Sequence, residues 1–272
     1  MDLTKNPLQY KSTRLFLFLG SFFLANALIA EFIGVKIFSL EKVLGFEPFA
    51  LSMFGEDGLS FDLTAGVLLW PVVFIMTDVI NEYFGKSGVR LLSFIAAGLI
   101  TYAFIMFFLA INTHPSDFWV FRATDAGKVD MQLAFATISG QGNWIIAGSL
   151  VAFLVGQLID VYVFHFIKKI TGDKYIWLRA TGSTLVSQFI DSFIVLFIAF
   201  YFNPNTGWSA TKVFAIGVVN YSYKFTMAIV LTPLIYVAHG FIERYLGHDE
   251  ALRLKTIAMA EDKEFEAKRS IK

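Results

Sequence analysis

The sequence Gln157-Leu158-Ile159-Asp160 lies within a long apolar run, and the same pattern recurs at Gln188-Phe189-Ile190-Asp191. Each run approaches the roughly 20 residues that a helix needs to cross the ~30 Å hydrocarbon core of a bilayer. An ionised carboxylate near the middle of such a helix costs about 2.5–3.5 kcal/mol. A helix that only fills lipid has no reason to carry this cost. The two patterns therefore indicate a polar site in the interior of a membrane protein.

Composition supports this class of protein. Of the 272 residues, 56% are hydrophobic and 31 are Phe. Because backbone groups exposed to lipid must be hydrogen-bonded within the chain, the sequence predicts an all-α polytopic membrane protein. The formal net charge is zero, so nothing in the charge balance favours a nucleic-acid partner. The chain has no cysteine, which excludes disulfides, thiolate metal sites and thiol nucleophiles. We expect no metal site and no cofactor.

Apolar segments predict six transmembrane helices. They run from about 15 to 38, from about 63 to a tight turn at Lys86 and Arg90, and over about 91–111, 144–167, 183–202 and 213–237. These segments give three parts: a cytoplasmic leader (1–14), a six-helix transporter domain (15–238) and a charged cytoplasmic tail (239–272). We expect residues 39–62 to form a folded extramembrane loop and the tail to be a solvated appendage.

The distribution of basic residues predicts the orientation. The leader, the second and fourth connections and the tail together contain 16 Lys and Arg, against 5 in the three opposite connections. By the positive-inside rule, both termini are cytoplasmic. The chain is thus predicted to be a multi-pass protein of the inner (plasma) membrane.

Four charged residues fall at similar depth in this topology. Asp78, Asp160 and Asp191 each lie seven or eight residues from the cytoplasmic end of a predicted helix, roughly 10–12 Å below the inner boundary at 1.5 Å per residue. Lys224 lies near the midplane. Common depth on four helices predicts one shared polar pocket.

Three blocks around these residues resemble the queuosine-precursor transporter family, formerly grouped as vitamin-uptake transporters. They are Pro71 to Gly85 (PVVFIMTDVINEYFG), Gly156 to Phe164 (GQLIDVYVF) and Arg179 to Phe200 (RATGSTLVSQFIDSFIVLFIAF), with a weaker block from Asn220 to Phe225 (NYSYKF). With the helix spacing, the resemblance covers roughly residues 15–238. It implies uptake of 7-cyano- or 7-aminomethyl-7-deazaguanine, the bases from which queuosine in tRNA is made.

Chemistry of the polar residues is compatible with that substrate. A guanine-like edge has two adjacent N–H donors, and one carboxylate can accept hydrogen bonds from both. An amide or ammonium group can donate to the carbonyl beside them. Aromatic side chains can stack on the flat ring. The candidate substrate-binding residues are Asp78, Asn81, Gln157, Asp160, Gln188, Asp191, Asn220 and Lys224.

Structural interpretations of the same residues remain open. The acids could be paired with Lys or Arg only to lock helices together, with Lys224 as one such counter-ion, and the two glutamines could only hydrogen-bond across helices. Glu82 is close enough to a helix end to be a solvated charge. Arg179 fits the positive-inside rule, and Ser183 and Thr184 fit helix caps.

Alternative functions also remain. No G-x-x-x-x-G-K-[ST] motif occurs, so the chain is a secondary carrier or facilitator, or a substrate-binding subunit for another vitamin or nucleobase that is energised by a separate ATPase. An intramembrane hydrolase is disfavoured because G-x-G-D, G-x-S-x-G and H-E-x-x-H patterns are absent. The cost of the buried acids disfavours a scaffold protein. We expect a transporter rather than an enzyme, and a homodimer stays an open alternative.

Overall fold

The computed structural model describes residues 6–125, 127–140, 143–172 and 174–270. The first residues of the predicted leader and the last two of the predicted tail are outside this range. Lys5 and Lys272, two of the basic residues used to predict orientation, therefore lie outside the described residues.

Long helices dominate the structure. In chain order the helices are α1 (Lys11–Ile33), α2 (Leu40–Val43), α3 (Trp70–Ile111), α4 (Asp117–Val120), α5 (Met131–Ser139), α6 (Asn143–Thr171), α7 (Ile176–Leu196), α8 (Ala210–Leu246) and α9 (His248–Ser270). Within the described residues, five helical stretches are long and apolar enough to span a membrane: α1, α3, α6 together with α5, α7 with its π-helical extension to Tyr201, and α8. The predicted class, an all-α polytopic membrane protein, is confirmed, while the number of six spans and the orientation of the termini stay predictions.

Helix α3 contains a break that sequence analysis placed in a turn. Its 42 residues would extend about 63 Å, twice the thickness of the hydrocarbon core. Gly85 has φ 66° and ψ −172°, so the helix is interrupted at this single residue. The break divides α3 into a first arm (residues 70–84) and a second arm (residues 86–111). The predicted tight turn is therefore a one-residue kink, and Lys86 and Arg90 are helical.

Several predicted helix ends are wrong. Helix α1 ends at Ile33 rather than near residue 38, because Ile37–Ser39 pairs as a strand with Asp62–Thr64. Helix α7 begins seven residues before Ser183, so Ser183 is inside the helix and its hydroxyl donates to the Ala180 carbonyl instead of capping. Helix α8 continues to Leu246, beyond the predicted domain boundary.

Short strands occur only in the connections of the described chain. They are β1 (Ile37–Ser39), β2 (Leu51–Met53), β3 (Glu56–Leu59), β4 (Asp62–Thr64), β5 (Phe121–Thr124) and β6 (Gly127–Asp130). They pair antiparallel as β1 with β4, β2 with β3 and β5 with β6. Leu59 at the end of β3 packs with Ala215 and Val219 of α8. The loop at 39–62 is folded, as predicted, and its extramembrane position stays a prediction.

The main apolar core joins α1, α3, α6, α8 and α9. Helix α9 contributes Ala251 and Leu254 to this core, and Ala258 of α9 is also buried, beside the kink of α3. The first half of the tail is thus a packed helix, and the expectation of a solvated appendage is wrong there. The cause is an apolar stripe at i, i+3 and i+7, which buries one face of α9.

We predict that Gly85→Ala lowers the free energy of unfolding by about 1–3 kcal/mol, because only glycine adopts its backbone angles without strain. The measurement is chemical unfolding of the purified protein in detergent. Gly98→Ala is the matched control in the second arm, where an added Cβ meets nothing within 4 Å. Equal stability of the two variants would show that the kink is not imposed by Gly85.

Candidate functional site

A central cavity lies between α1, the first arm of α3, α6, α7 and α8. Its volume is about 410 Å³, within the ~300–1,000 Å³ typical of small-molecule pockets. It is lined by five of the predicted site residues: Gln157, Gln188, Asp191, Asn220 and Lys224. Ile37, Asp62 and Thr64 line it too, so the cavity extends to the β1–β4 pair.

Asp191 and Lys224 form an ion pair on the wall of this cavity. The Lys224 Nζ lies 2.5 Å from Asp191 Oδ2, and each side chain is 21% exposed. Lys224 is therefore the counter-ion of Asp191. Because both groups still face the cavity, pairing does not remove them from contact with a ligand. The two interpretations of Lys224 are compatible.

A smaller side cavity, of about 50 Å³, adjoins the central one. Asp78 lines it, together with Thr181 and Thr184. Gln188 and Lys224 line both cavities, so they connect Asp78 to the larger space. The structure thus brings Asp78 to the edge of the polar site, although it does not line the central cavity.

Asn81 and Asp160 line neither cavity. Asn81 is 0% exposed and Asp160 is 1% exposed, so both lie behind the cavity walls. Ser187 donates to Asp160 Oδ1 at 3.2 Å. Thr77, beside Asp78, donates to Gln157 Oε1 at 3.3 Å and so ties the first arm of α3 to α6. Gln157 accordingly has both roles considered for it, as a cavity-lining residue and as an interhelical partner.

Glu82 forms a second, fully buried ion network on the first arm of α3. Its carboxylate accepts from Lys168 of α6 at 3.1 Å and from Arg179 of α7 at 2.8 Å. Arg179 also donates to the Gly172 carbonyl at 2.7 Å. All three charged side chains are at most 2% exposed. The interpretation of Glu82 as a solvated helix-end charge is wrong, and Arg179, inside α7, joins this helix to α3.

Glu31 and Ser149 are among the polar residues of the central cavity that were not predicted from the sequence. Glu31 of α1 is buried and accepts a hydrogen bond from the Ser149 hydroxyl of α6, and both residues line the cavity. Glu31 also lies near enough to Asp191 for their charges to interact. The free-energy cost of a charge in an apolar helix could have identified Glu31, because this residue is an acid within the apolar segment of α1.

Aromatic side chains complete the walls. Trp70 and Phe74 of α3 and Tyr223 of α8 line both cavities. Trp70 also stacks on Phe74, with ring centroids 6.1 Å apart. The walls of the central cavity therefore carry both aromatic rings and the Asp191–Lys224 pair.

We predict that Glu82→Gln lowers the free energy of unfolding by about 3–5 kcal/mol, because it leaves Lys168 and Arg179 buried without an anion. Chemical unfolding in detergent measures the change. Glu250→Gln is the matched control, since Glu250 pairs with Arg253 at the surface and such a pair contributes about 0–1 kcal/mol. A similar small loss in both variants would contradict a structural role for the Glu82 network.

Known proteins resemble about two thirds of this chain. The family described as "Putative vitamin uptake transporter" matches residues 64–238. A "Probable queuosine precursor transporter" of Bacillus subtilis (strain 168) is 33% identical over 188 residues, which cover 67% of this chain and 75% of that protein. The "Queuosine precursor transporter" of Escherichia coli (strain K12) is 29% identical over 172 residues, covering 63% of this chain and 70% of that protein. No solved structure matches the chain significantly. The resemblance noted in the sequence is confirmed, and the chain belongs to this vitamin-uptake-transporter family, which includes queuosine precursor transporters.

Proposed function

We propose that this chain is a membrane transporter, not an enzyme, and that it imports a queuosine precursor, 7-cyano- or 7-aminomethyl-7-deazaguanine, across the inner membrane. The observation that carries the proposal is the Asp191–Lys224 pair on the wall of a 410 Å³ cavity. The names of the bacterial relatives support the same substrate class.

The paired charges match the guanine edge of these bases. Asp191 offers carboxylate oxygens to the N1–H and the exocyclic amine, while Lys224 can donate to the neighbouring carbonyl. Gln157, Gln188 and Asn220 add amide donors and acceptors around the same space. An ion pair whose side chains are 21% exposed can rearrange to admit a ligand at lower cost than a fully buried one.

Ring stacking would hold the plane of the base. Trp70, Phe74 and Tyr223 give the cavity the aromatic surface that a flat deazapurine requires. For the 7-aminomethyl base, Glu31 adds a second carboxylate close to Asp191. The cavity would then serve both the polar edge and the ring of the substrate.

The eight predicted residues divide into five proposed substrate contacts and three residues that do not line the central cavity. Five line the central cavity and would contact the substrate. Asp78 would act from the side cavity, and Asn81 and Asp160 from behind the walls. Their burial supports a role in shaping or charging the site rather than in direct contact.

Six transmembrane spans with both termini in the cytoplasm are part of the same proposal. The kink at Gly85 and the 42-residue length of α3 favour two crossings by this helix. The predicted division into a leader (1–14), a transporter domain (15–238) and a tail (239–272) is kept as part of this proposal, although α8 crosses the second boundary and ends at Leu246. The central cavity, which extends to the β1–β4 pair, would open away from the cytoplasm.

We predict that alkaline phosphatase fused to the C-terminus is inactive, because both termini are cytoplasmic by the positive-inside rule. A fusion after Thr124, in the connection between the second arm of α3 and α6, is the control and should be active. Colorimetric phosphatase activity, normalised to the amount of fusion protein, is the measurement. Activity of the C-terminal fusion would refute the orientation.

We predict that Asp191→Asn weakens binding of 7-aminomethyl-7-deazaguanine at least tenfold. The amide has one acceptor and one donor where the substrate edge needs two acceptors, and a charge-assisted bond of about 1.5–3 kcal/mol is lost. Folding should survive, because water reaches both members of the pair. Equilibrium binding to purified, monodisperse protein measures the effect.

Asp117→Asn is the matched control, since Asp117 is an exposed acid on α4. Asp160→Asn is the companion variant and should retain most of the affinity, because Asp160 does not reach the cavity. Unchanged affinity in the Asp191 variant would make that acid a structural residue. Loss only in the Asp160 variant would make Asp160 the residue that recognises the base.

A further inference from the structure

The buried charges behind the central cavity do not balance. A buried charge layer is formed by the acids Asp78, Glu82 and Asp160 and the bases Lys168 and Arg179, each at most 2% exposed. Both bases are bonded to Glu82. With the three acids, Lys168 and Arg179 ionised and the buried His165 and His239 neutral, three carboxylates face two cationic side chains, so the layer is one positive charge short. In a low-dielectric interior, an uncompensated charge is expensive.

Neither Asp78 nor Asp160 forms an ion pair within the part of the chain that the structure describes. Lys224, a partly exposed base of the spans, is bonded to Asp191, and the buried His239 shares a hydrogen bond with Tyr83. The Thr77–Gln157 hydrogen bond and the Glu82–Lys168 ion pair hold α3 against α6 around the two carboxylates, so their charges repel each other. Their mutual position therefore adds to the cost of leaving both ionised.

Several oxygens in this layer accept no hydrogen bond from the described protein groups. They are Asp78 Oδ1 and Asp160 Oδ2, and the side chain of Asn81, one turn from Asp78 on the same face of α3, is also unpartnered. The Asp160 carboxylate has hydroxyl partners on one side only, from α7. Polar atoms buried in this way normally have a partner.

We propose that Asp78 and Asp160, assisted by Asn81, bind one monovalent cation, a proton shared between the two carboxyl groups or a sodium ion, whose binding is coupled to that of the substrate. A single positive charge would neutralise the layer. In the described residues, no three His, Cys, Asp or Glu side chains come together as a metal site, which fits a monovalent cation better than a transition metal.

The surroundings of the two acids connect them to the substrate. Asp78 faces Glu82 of its own helix, Asp160 of α6 and Arg179 of α7, and it shares the side cavity with Lys224 of α8. Ser187, the donor to Asp160, immediately precedes Gln188, which lines both cavities. A change in the charge of the two acids therefore alters the electrostatic environment of Lys224 and Gln188, two proposed substrate contacts.

The inference rests on the proposed function, and its test separates the two. Purified protein is reconstituted in liposomes with the membrane potential clamped at zero by potassium and valinomycin. Accumulation of 7-cyano-7-deazaguanine, which has no ionised substituent, is measured under a one-unit pH gradient or a tenfold sodium gradient. For one cation per substrate, one of these gradients should give about tenfold accumulation, since each tenfold ratio corresponds to 1.4 kcal/mol.

Asp160→Asn and Asp78→Asn should bind the substrate and equilibrate it across the liposome membrane, but without accumulation under either gradient. Asp117→Asn is the control and should accumulate substrate like the original protein. The pH arm and the sodium arm distinguish the two cations. Two variants are used so that misfolding of one, seen by size-exclusion chromatography, leaves the other as a test.

Two outcomes would overturn the proposals separately. If the original protein binds and equilibrates the base but accumulates it under neither gradient, the cation site is wrong and the proposed function stands. The same conclusion follows if both Asn variants still accumulate it about tenfold. If the original protein neither binds nor equilibrates the base, the proposed function itself is wrong.

Discussion

The buried network of Glu82 with Lys168 and Arg179 is the constraint on which the polar interior depends. It joins the first arm of α3 to α6 and α7 in a region where neither water nor lipid can compensate a charge. Glu82 is four residues from Asp78, so fixing the network also fixes the helix face that carries Asp78. The polar residues of α6 and α7 lie opposite that face of α3, and the cavities form between these helices.

Exposure separates the acids into two kinds. Asp191 is reached by solvent and paired with Lys224, so a ligand edge can compete for it. Asp78, on the side cavity, and Asp160, outside both cavities, are at most 2% exposed and form no ion pair in the described structure, so a small cation could neutralise them. Substrate recognition and cation coupling would therefore use chemically similar residues at adjacent positions, connected through Gln188 and Lys224. This arrangement accounts for more buried acids than recognition of one base requires.

Much of this site could be predicted from the cost of charge in a membrane. That cost alone indicated that Asp78, Asp160, Asp191 and Lys224 face the interior, and the relatives placed the chain in the expected family. The Glu82 network could not be predicted, because its partners are 86 and 97 residues away and no local pattern marks them. The kink at Gly85 was hidden by neighbouring basic residues that look like a turn. The apolar stripe of α9 is present in the sequence, but the many charged residues of the tail favoured the prediction of a solvated segment.

The most direct test of the account asks whether the site recognises the guanine edge. Isothermal titration with 7-cyano-7-deazaguanine can be compared with its analogue lacking the exocyclic 2-amino group. The account predicts saturable binding of the parent base and affinity for the analogue at least tenfold lower, because one charge-assisted bond of about 1.5–3 kcal/mol to the carboxylate is lost. Equal affinity for the two bases, or no binding of either, would contradict it.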